Sequence, residues 1–411
     1  MDKTAILQFR QSVLDELNHN IIPFWLNHSI DRTNGGFIGR MTNDLKVDPN
    51  APKGVILNAR ILWTFSTLYR HFKNPEFLKF ADRAYAYISR FFYDPENGGY
   101  FWLLDLQGKP VDDKKKVYGQ GFVIYALSEY YMASGKEEAL QKAKDLFNLI
   151  ESNCRDREYE GYFETYNRDW TLAGDSRLSD LDMDEKKSMN NHLHILEGYT
   201  NLYRIWKSDT LKSALVTLID VFLKHIIHSD LSSFILFFDE SWNPKSDAIS
   251  YGHNIEGSWL LYDAVEVLGE KSIIEFFKKQ ILAMAETVLK NGVDDDGGLF
   301  YDGNPDRVVD TDKHWWPQAE STVGCLNAFQ LSGDEKFLAQ AMNGWYFIKD
   351  KIVDKKYGEW FWKVSMDGRP DLTQYKISEW KGPYHNVRAC LETIRRIDII
   401  IAHYWESSHG K

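Results

Sequence analysis

The sequence predicts an all-α protein, an (α/α)6 barrel in which six helix pairs form a toroid with short β-hairpins and loops at one end. Three observations carry this prediction: a turn motif that recurs six times, two helical patterns between successive turns, and the lack of any linker or low-complexity run. The motifs begin 63, 62, 74, 64 and 60 residues apart, at Asp31, Asp94, Asp156, Asp230, Asp294 and Asp354.

Each motif combines an Asp-led turn with a short aromatic stretch, as in "DPENGGYFWLL" from Asp94. Aspartate and glycine favour turns, glycine because it adopts positive φ, and the alternating aromatics favour a short strand. The fourth copy, "DLSSFILFF" from Asp230, lacks the glycines. We therefore expect six turns with short strands, of which the fourth is degenerate.

Helical patterns fill the space between the turns. Residues 55–72 and 76–92 place apolar side chains at i, i+3, i+4 and i+7, and later units repeat the pair. The first helix of a pair is often the more apolar, which predicts an inner helix, and the second the more charged, which predicts an outer one. Six such pairs close into a ring, so we expect a single catalytic domain over residues 1–411, although length alone suggests roughly two or three domains.

Composition argues against several classes of function. The formal net charge of -11 and the pI near 5.6 argue against electrostatic binding of nucleic acid or anionic membranes. The N-terminal stretch "MDKTAILQFRQSVLDELNHNI" is typical of an amphipathic helix, not of a signal peptide, and no apolar run approaches the roughly 18 residues of a membrane span. Three widely spaced cysteines are typical of free thiols, so we expect a cytoplasmic protein.

Polar and aromatic residues cluster at the start of every predicted inner helix. The chain has 14 Trp, 22 Tyr and 24 Phe, enough for a core and also for a carbohydrate cleft, since sugar C–H faces stack on aromatic rings. Because inner-helix ends of one sense meet at one mouth of a barrel, we expect the clusters to converge on one site. They comprise Asn58 and Arg60; Tyr118 and Gln120; Asn190, His192 and His194; His253 and Glu256; Trp315, Trp316 and Glu320; and Trp380, Tyr384 and His385.

The cluster "SMNNHLHILEGY" contains the first candidate histidine. Helical spacing puts His194 on the face shared by Asn190 and Glu197, which predicts a site residue. His192 points away from that face, so a structural role is the better interpretation. Two histidines at i and i+2 of a helix diverge, and this spacing disfavours a metal site.

Two further histidines are candidate acid/base groups, with a buried or capping histidine as the alternative. His253 and Glu256 share a helix face, so the carboxylate is expected to fix the imidazole tautomer. In "WKGPYHNVRACLE", Pro383 favours a helix start that places His385 in the first turn. There the helix dipole would lower the pKa of the ring and keep it neutral, as a proton-abstracting base requires.

These residue types suit proton transfer at the carbon beside a sugar carbonyl. Two opposed imidazoles can remove a proton from one face of C2 and return one to the other, and Arg60 can stabilise the enediolate by on the order of 3 kcal/mol. The sequence has no glycine-rich phosphate cradle, Rossmann fingerprint or G-x-S-x-G elbow. Nicotinamide-dependent epimerisation and serine hydrolysis are therefore disfavoured.

Five motifs lie in register between about residue 10 and residue 395: "KGVILNARILWTFSTLYR", "MNNHLHILEGYT", "YGHNIEGSWLL", "WWPQAESTVG" and "WKGPYHNVRACLE". Together they closely resemble the cellobiose 2-epimerases of the N-acylglucosamine 2-epimerase superfamily. The resemblance implies an (α/α)6 barrel that interconverts D-glucose and D-mannose at the reducing end of β-1,4-linked disaccharides, without a metal or nucleotide cofactor. The implied order is ring opening, C2 deprotonation to a cis-enediolate, rotation about C2–C3, and reprotonation from the opposite side.

The resemblance also implies roles for individual residues. Arg60 matches the family's essential arginine, His253 and His385 match the two acid/base histidines, and His194 matches a third essential histidine. The predicted substrate-binding residues are Tyr118, from its place in the clusters, and Asn190, Glu256, Trp316 and Trp380, from matched positions.

Three alternative functions stay open from the sequence. Two belong to the same superfamily, an N-acylglucosamine 2-epimerase and an aldose–ketose isomerase, and the third is an (α/α)6 glycosidase that uses Glu256, Glu320 or Glu379. The expected partner is a small disaccharide such as cellobiose, not nucleic acid or a membrane, and the expected state is a monomer. Arg388, one turn after His385, is left between a substrate contact and a structural ion pair.

Overall fold

The computed structural model describes residues 2–230, 232–269 and 271–406. Within them, six inner helices form a closed ring in which each contacts the next and the last contacts the first. These helices are α3 (Val55–Phe72), α5 (Val117–Ser134), α7 (Met189–Ile205), α9 (Tyr251–Leu268), α11 (Trp315–Ser332) and α13 (Tyr384–Ile401). The ring confirms the predicted all-α (α/α)6 barrel.

The outer helices surround this ring; α1, α6 and α12 pack against one inner helix, and α4, α8 and α10 each contact two neighbouring inner helices. They are α1 (Lys3–Glu16) with the short α2 (Ile22–His28), α4 (Pro75–Tyr87), α6 (Glu137–Asn153), α8 (Asp209–Val221), α10 (Lys271–Asn291) and α12 (Glu335–Phe347). Single π-helical turns follow α1, α4, α8, α12 and α13, at Leu17–Ile21, Ile88–Phe92, Phe222–Ile226, Ile348–Ile352 and Ala402–Glu406.

The N-terminal helix closes the toroid. The sequence predicts a helix there but not its place, and the structure packs α1 against α13, the last inner helix. Arg10 donates to both carboxylate oxygens of Asp398 across this contact, at 2.6 and 2.9 Å. The first and last parts of the described chain therefore form the sixth helix pair together.

Short antiparallel strands connect neighbouring units at one end of the barrel. A strand leads towards each inner helix and pairs with a strand that follows the next outer helix, giving β2–β3, β5–β6, β7–β8, β9–β10, β12–β13 and β14–β1. The strands are β1 (Met41–Thr42), β2 (Lys53–Gly54), β3 (Leu103–Leu104), β4 (Pro110–Asp112), β5 (Lys115–Lys116), β6 (Thr165–Tyr166), β7 (Lys187–Ser188), β8 (Phe237–Phe238), β9 (Ile249–Ser250), β10 (Asp302–Gly303), β11 (Val308–Asp310), β12 (Lys313–His314), β13 (Lys363–Val364) and β14 (Tyr375–Ile377). The last pair joins the final unit to the first.

A buried lysine binds five of the six predicted Asp-led turns, which sequence inspection did not reveal. Each of these lysines lies in the strand that leads towards an inner helix, and its ammonium bonds the first aspartate of the turn. The pairs are Lys53–Asp31, Lys115–Asp94, Lys187–Asp156, Lys313–Asp294 and Lys376–Asp354. In the degenerate fourth unit Ile249 stands at the lysine position. The turn there is still closed, by a bridge between Ile227 and Phe234.

The helices of the barrel are amphipathic or buried, and none within the described residues is long and apolar enough to cross a membrane. The inner helices begin at the end of the barrel that carries the hairpins, since a strand lies directly before five of them. Their first turns therefore meet at one mouth.

Candidate active site

A cavity of about 450 Å³ opens at this mouth, and we call it the site cavity. All nine residues that the sequence singled out for the site line it: Arg60, Tyr118, Asn190, His194, His253, Glu256, Trp316, Trp380 and His385. They come from all six inner helices or the residues just before them. Each of the six predicted clusters therefore contributes to one cavity, and the roles of the single residues stay predictions. Five other cluster residues do not line the cavity: Asn58, Gln120, His192, Glu320 and Tyr384.

Helix register sets the depth of each side chain in the barrel. Tyr118, Asn190 and Trp316 are each the second residue of their helix and lie at the mouth. Arg60 and His194 each come five residues after the first residue of their helix, and so do Glu256 and Glu320. Residues at this second position lie about one turn deeper, which separates an aromatic entrance from a charged floor.

Arg60 is a fixed positive charge in the wall of the site cavity. Its Nη2 donates to the hydroxyl of Tyr118 at 3.1 Å, and its Nη1 donates to the backbone carbonyl of Trp380. The guanidinium also lies over the rings of Phe122 and Tyr384, at 4.8 and 5.3 Å from their centroids. These contacts restrain the guanidinium beside the cavity, where a developing negative charge on a ligand would meet it.

His385 lies in the first turn of α13, as predicted, and a carboxylate holds it. Its Nδ1 bonds Oε1 of Glu320 on the neighbouring helix α11 at 2.7 Å. Burial lowers the pKa of His385 to about 3, although Glu320 opposes the shift. The neutral ring was expected from the helix dipole, and burial is the largest cause of its lowered pKa.

His253 is held differently from the sequence expectation. Its Nδ1 bonds the hydroxyl of Ser250 at 2.9 Å, whereas Glu256 accepts a hydrogen bond from Arg388. The expectation that Glu256 fixes the His253 tautomer is therefore wrong. Ser250 immediately precedes α9, where its hydroxyl meets the first-turn imidazole and makes no capping hydrogen bond, while Glu256 lies one turn deeper and faces the arginine. Burial lowers the pKa of His253 to about 3.

His194 and Trp316 complete the polar and aromatic walls. The Nδ1 of His194 bonds Oε2 of Glu197 at 2.9 Å, and burial lowers the pKa of this histidine below its ordinary value. The ring of Trp316 lies between the other two imidazoles, with centroids 4.7 Å from His253 and 5.7 Å from His385. Three histidines on different helices thus each have Nδ1 engaged, which leaves Nε2 as the nitrogen available to a ligand.

His192 belongs to the scaffold. Its Nε2 accepts a hydrogen bond from the backbone N–H of Tyr162 at 2.9 Å, and its Nδ1 donates to the carbonyl of Ser188 at 2.7 Å. In two other repeats a glutamine side chain accepts the equivalent hairpin N–H: Gln120 accepts from Tyr100, and Gln318 accepts from Leu299. Both ring nitrogens of His192 are therefore occupied, and a His192–His194 metal pair has no support.

Sequence reasoning missed the hairpin and loop residues of the site. Residues 178, 179, 181 and 182, in the segment between β6 and β7, line the cavity, as do Tyr301 and His314, whose rings stack at a centroid distance of 3.8 Å. Hairpin and loop residues carry no helical spacing that could have revealed them. Arg388, which the sequence left between a substrate contact and an ion pair, lies beneath the cavity and contacts Glu197, Glu256 and Glu320.

Comparison with known proteins identifies the family. The family model for N-acylglucosamine 2-epimerase (GlcNAc 2-epimerase) matches residues 36–389. A cellobiose 2-epimerase of Bacteroides fragilis is 44% identical over 386 residues, which cover 94% of this chain and 98% of that protein. The chain belongs to the N-acylglucosamine 2-epimerase family.

Other members of the N-acylglucosamine 2-epimerase family extend the comparison. A cellobiose 2-epimerase of Dictyoglomus turgidum is 41% identical over 94% of this chain and 98% of that protein. The solved structure of cellobiose 2-epimerase from Spirochaeta thermophila superposes with a TM-score of 0.90 at 38% identity, over 97% of this chain and 99% of that one. A D-mannose isomerase structure, at 22% identity and a TM-score of 0.80, shares the fold.

Proposed function

We propose that the barrel, as a single catalytic domain, is a cellobiose 2-epimerase that converts cellobiose to 4-O-β-D-glucosyl-D-mannose and back. The observation that carries this proposal is the pair of neutral imidazoles, the half-buried His253 and the buried His385, that line one cavity around Trp316. The identity of 36–44% to five cellobiose 2-epimerases over nearly the whole chain supports the same conclusion.

The cavity suits the reducing-end sugar of a disaccharide. Trp316 and Trp380 present aromatic surfaces on which apolar sugar C–H faces can stack. Asn190 lines the same space, and its Oδ1 accepts no hydrogen bond from the part of the chain that the structure describes. A sugar hydroxyl can supply that bond, and the aromatic walls exclude water from the reacting carbon.

The reaction begins with opening of the pyranose ring, which exposes the C1 carbonyl and makes the C2 hydrogen acidic. One imidazole then takes the C2 proton at Nε2, and the electron pair passes through the new C1–C2 double bond to the carbonyl oxygen. Arg60 stabilises the resulting cis-enediolate by its positive charge. Rotation about C2–C3 turns the other face of C2 to the second ring, which has taken up a proton from solvent and is an imidazolium. This ring donates that proton to C2 as the enediolate oxygen re-forms the C1 carbonyl, and the first ring returns its proton to solvent.

The protein contacts behind the two imidazoles differ. The Glu320 carboxylate stabilises the imidazolium form of His385, because an adjacent negative charge favours the charged ring. His253 has a hydroxyl partner in Ser250 and lacks that direct carboxylate contact. We infer that Glu320 assists proton uptake by His385, whereas no carboxylate of the described residues is bonded to the ring of His253.

Product analysis after incubation with cellobiose tests the proposed function. The expected product is glucosyl-mannose, identified by chromatography and by the proton NMR signal of the mannose anomeric centre. A keto-disaccharide as the main product would instead indicate an aldose–ketose isomerase, and free glucose would indicate hydrolysis. Epimerisation of N-acetylglucosamine with no reaction of cellobiose would assign the alternative activity named for the family. Each of these three results would overturn the proposal.

A further inference from the structure

Arg388 lies at the centre of a buried charge cluster below the site cavity. Its side chain is 2% exposed, and it does not line the site cavity, so it is not placed to contact a ligand there. Its guanidinium lies over the ring of Tyr384 at 4.3 Å and over that of Trp259 at 4.8 Å. Of the two readings left open by the sequence, the buried ion pair is therefore correct.

The two ends of the guanidinium bind carboxylates from three different helices. Nη1 donates to Glu197 of α7 and to the hydroxyl of Tyr384. Nη2 donates to Glu256 of α9 at 2.6 Å and to Glu320 of α11 at 2.7 Å. Arg388 itself belongs to α13, so one side chain links four of the six inner helices.

Two of these carboxylates are the ones that hold candidate catalytic histidines. Glu197 bonds Nδ1 of His194 through its second oxygen, and Glu320 bonds Nδ1 of His385. A single carboxylate therefore connects Arg388 to each of the two imidazoles. A shift of the guanidinium would move both carboxylates, and the rings that they orient would follow.

The charge of Arg388 also sets the ionisation of the cluster. Burial alone would raise the pKa of Glu320, but Arg388 and the hydrogen bond with His385 outweigh it and lower that pKa to about 2. For Glu256, burial and the nearby Glu320 carboxylate raise the pKa well above its usual range. Three carboxylates thus face one guanidinium, and an ionised Glu320 is kept beside the histidine.

We propose that Arg388 is a positioning residue for the epimerisation, which holds Glu197 and Glu320 so that His194 and His385 present their rings to the substrate. This inference rests on the proposed function. The planar, forked guanidinium is suited to the task because its two terminal nitrogens bind carboxylates on opposite sides at fixed angles. A lysine keeps the charge but offers a single nitrogen in place of two.

The first test compares Arg388→Lys with Arg396→Lys. Arg396 lies two turns further along α13, is also buried, and donates to Asn327 at 3.0 Å and Gln330 at 2.6 Å, away from the histidine carboxylates. We expect Arg388→Lys to lower kcat with cellobiose by about 10- to 100-fold, the usual effect of losing a partner behind a functional ligand. KM should change less than about threefold, because the lining of the cavity is intact, and Arg396→Lys should keep both constants within about threefold.

The second test separates charge from structure by the pH dependence of kcat/KM. Arg388 lowers the pKa of His385 by charge repulsion, so Arg388→Met should move the acidic limb of the profile to higher pH by about one unit. Arg388→Lys keeps the positive charge that Arg388→Met removes. Its acidic limb should therefore lie near that of the wild type, while its kcat stays low. A purely structural role would reduce the folded fraction without moving the limb.

Three results would overturn the inference: a kcat for Arg388→Lys within threefold of wild type, an equal loss in Arg396→Lys, or an unmoved limb in folded Arg388→Met. If Arg388→Met does not fold, the comparison of the two lysine variants decides the question alone. The wild-type protein in the same assay separates this inference from the proposed function. A wild type that does not epimerise cellobiose refutes the function, whereas an active wild type with an equally active Arg388→Lys refutes only the role of Arg388.

Discussion

The barrel has a cavity at each end of its inner helices, and the two differ in how their charged groups are partnered. The far cavity, of about 670 Å³, is the larger of the two, and it is lined by the middle and C-terminal parts of α3, α5, α7 and α9, together with Arg388 and later residues of α13. Its arginines pair with carboxylates, between neighbouring helices in Arg70–Glu129 and Arg204–Asp263 and within α13 in Arg395–Glu392. In the site cavity each of three histidines has one ring nitrogen engaged and the other available. The cavity suited to proton transfer is therefore the one whose histidines keep a ring nitrogen available, although it is the smaller of the two.

Among substitutions at the two cavities, the removal of either acid/base histidine from the site cavity should cause the largest loss of activity. We expect His385→Ala and His253→Ala to lower kcat with cellobiose by about 10²- to 10⁴-fold, because each ring supplies or removes the C2 proton. Circular dichroism should show an intact fold. The matched control is Arg204→Ala at the far cavity, whose partly exposed pair with Asp263 is worth about 0–1 kcal/mol of stability and should leave activity within about twofold.

Retention of more than a tenth of wild-type activity in either histidine variant would count against the two-base scheme. A loss in Arg204→Ala as large as that in the histidine variants would remove the functional difference between the cavities.

The replacement of Arg60 should have the next largest effect. Arg60→Met keeps much of the side-chain volume but removes the charge that faces the enediolate, and we expect kcat to fall about 100-fold, equivalent to about 3 kcal/mol. Steady-state kinetics at saturating cellobiose measures this loss. Arg70→Met at the far cavity removes a guanidinium of the same size and should leave kcat within about twofold; equal losses in both variants would contradict the assignment of Arg60.

The neutral histidines should also make the fold sensitive to acid. Burial lowers the pKa of His192, His253 and His385 from 6.5 to about 3 each. Between pH 6.5 and 3 the unfolded chain therefore binds protons that the folded chain excludes, so the free energy of unfolding falls as the pH is lowered. Each group contributes up to about 1.4 kcal/mol per pH unit. Urea unfolding at pH 7, 6 and 5 measures the slope, and a stability that is constant or rises towards pH 5 would contradict the buried, neutral state.

The smallest effect on activity is expected for His192→Gln. In two other repeats a glutamine accepts the hairpin N–H that His192 accepts here, so the variant should keep activity within about threefold. It should also lose stability less steeply than wild type between pH 7 and pH 5, since one buried imidazole is gone. Urea unfolding of both proteins at the two pH values checks the slope. A large loss of activity would mean that His192 acts in the site and not in the scaffold.

The sequence predicted those features of the barrel and its site that helix periodicity can reveal. The six turns, the inner and outer helices and the mouth that gathers Arg60, His194, His253 and His385 all follow from repeats and from spacing within one helix. Contacts between helices do not follow from spacing. The bond from Ser250 to His253 and the place of Arg388 among three carboxylates depend on which neighbouring helix each side chain meets.

The buried lysines escaped notice for a related reason. Lys53 and its four counterparts resemble ordinary charged residues in the sequence, because nothing local shows that a short strand will carry them beneath an aspartate turn. In hindsight the available signal was a lysine two residues before four of the inner helices, at Lys53, Lys115, Lys187 and Lys313, with Ile249 at that position before the degenerate fourth turn's helix; Lys376 lies eight residues before α13.

The central claim is that two histidines exchange the C2 proton from opposite faces. Epimerisation of cellobiose in D2O, followed by NMR during the first few per cent of conversion, tests it directly. The account predicts one deuterium at C2 of the newly formed mannosyl unit in nearly every product molecule, since the second base donates a solvent-derived deuteron. Product that retains the original C2 proton would contradict it, because that proton would then have travelled from one face to the other without a second base.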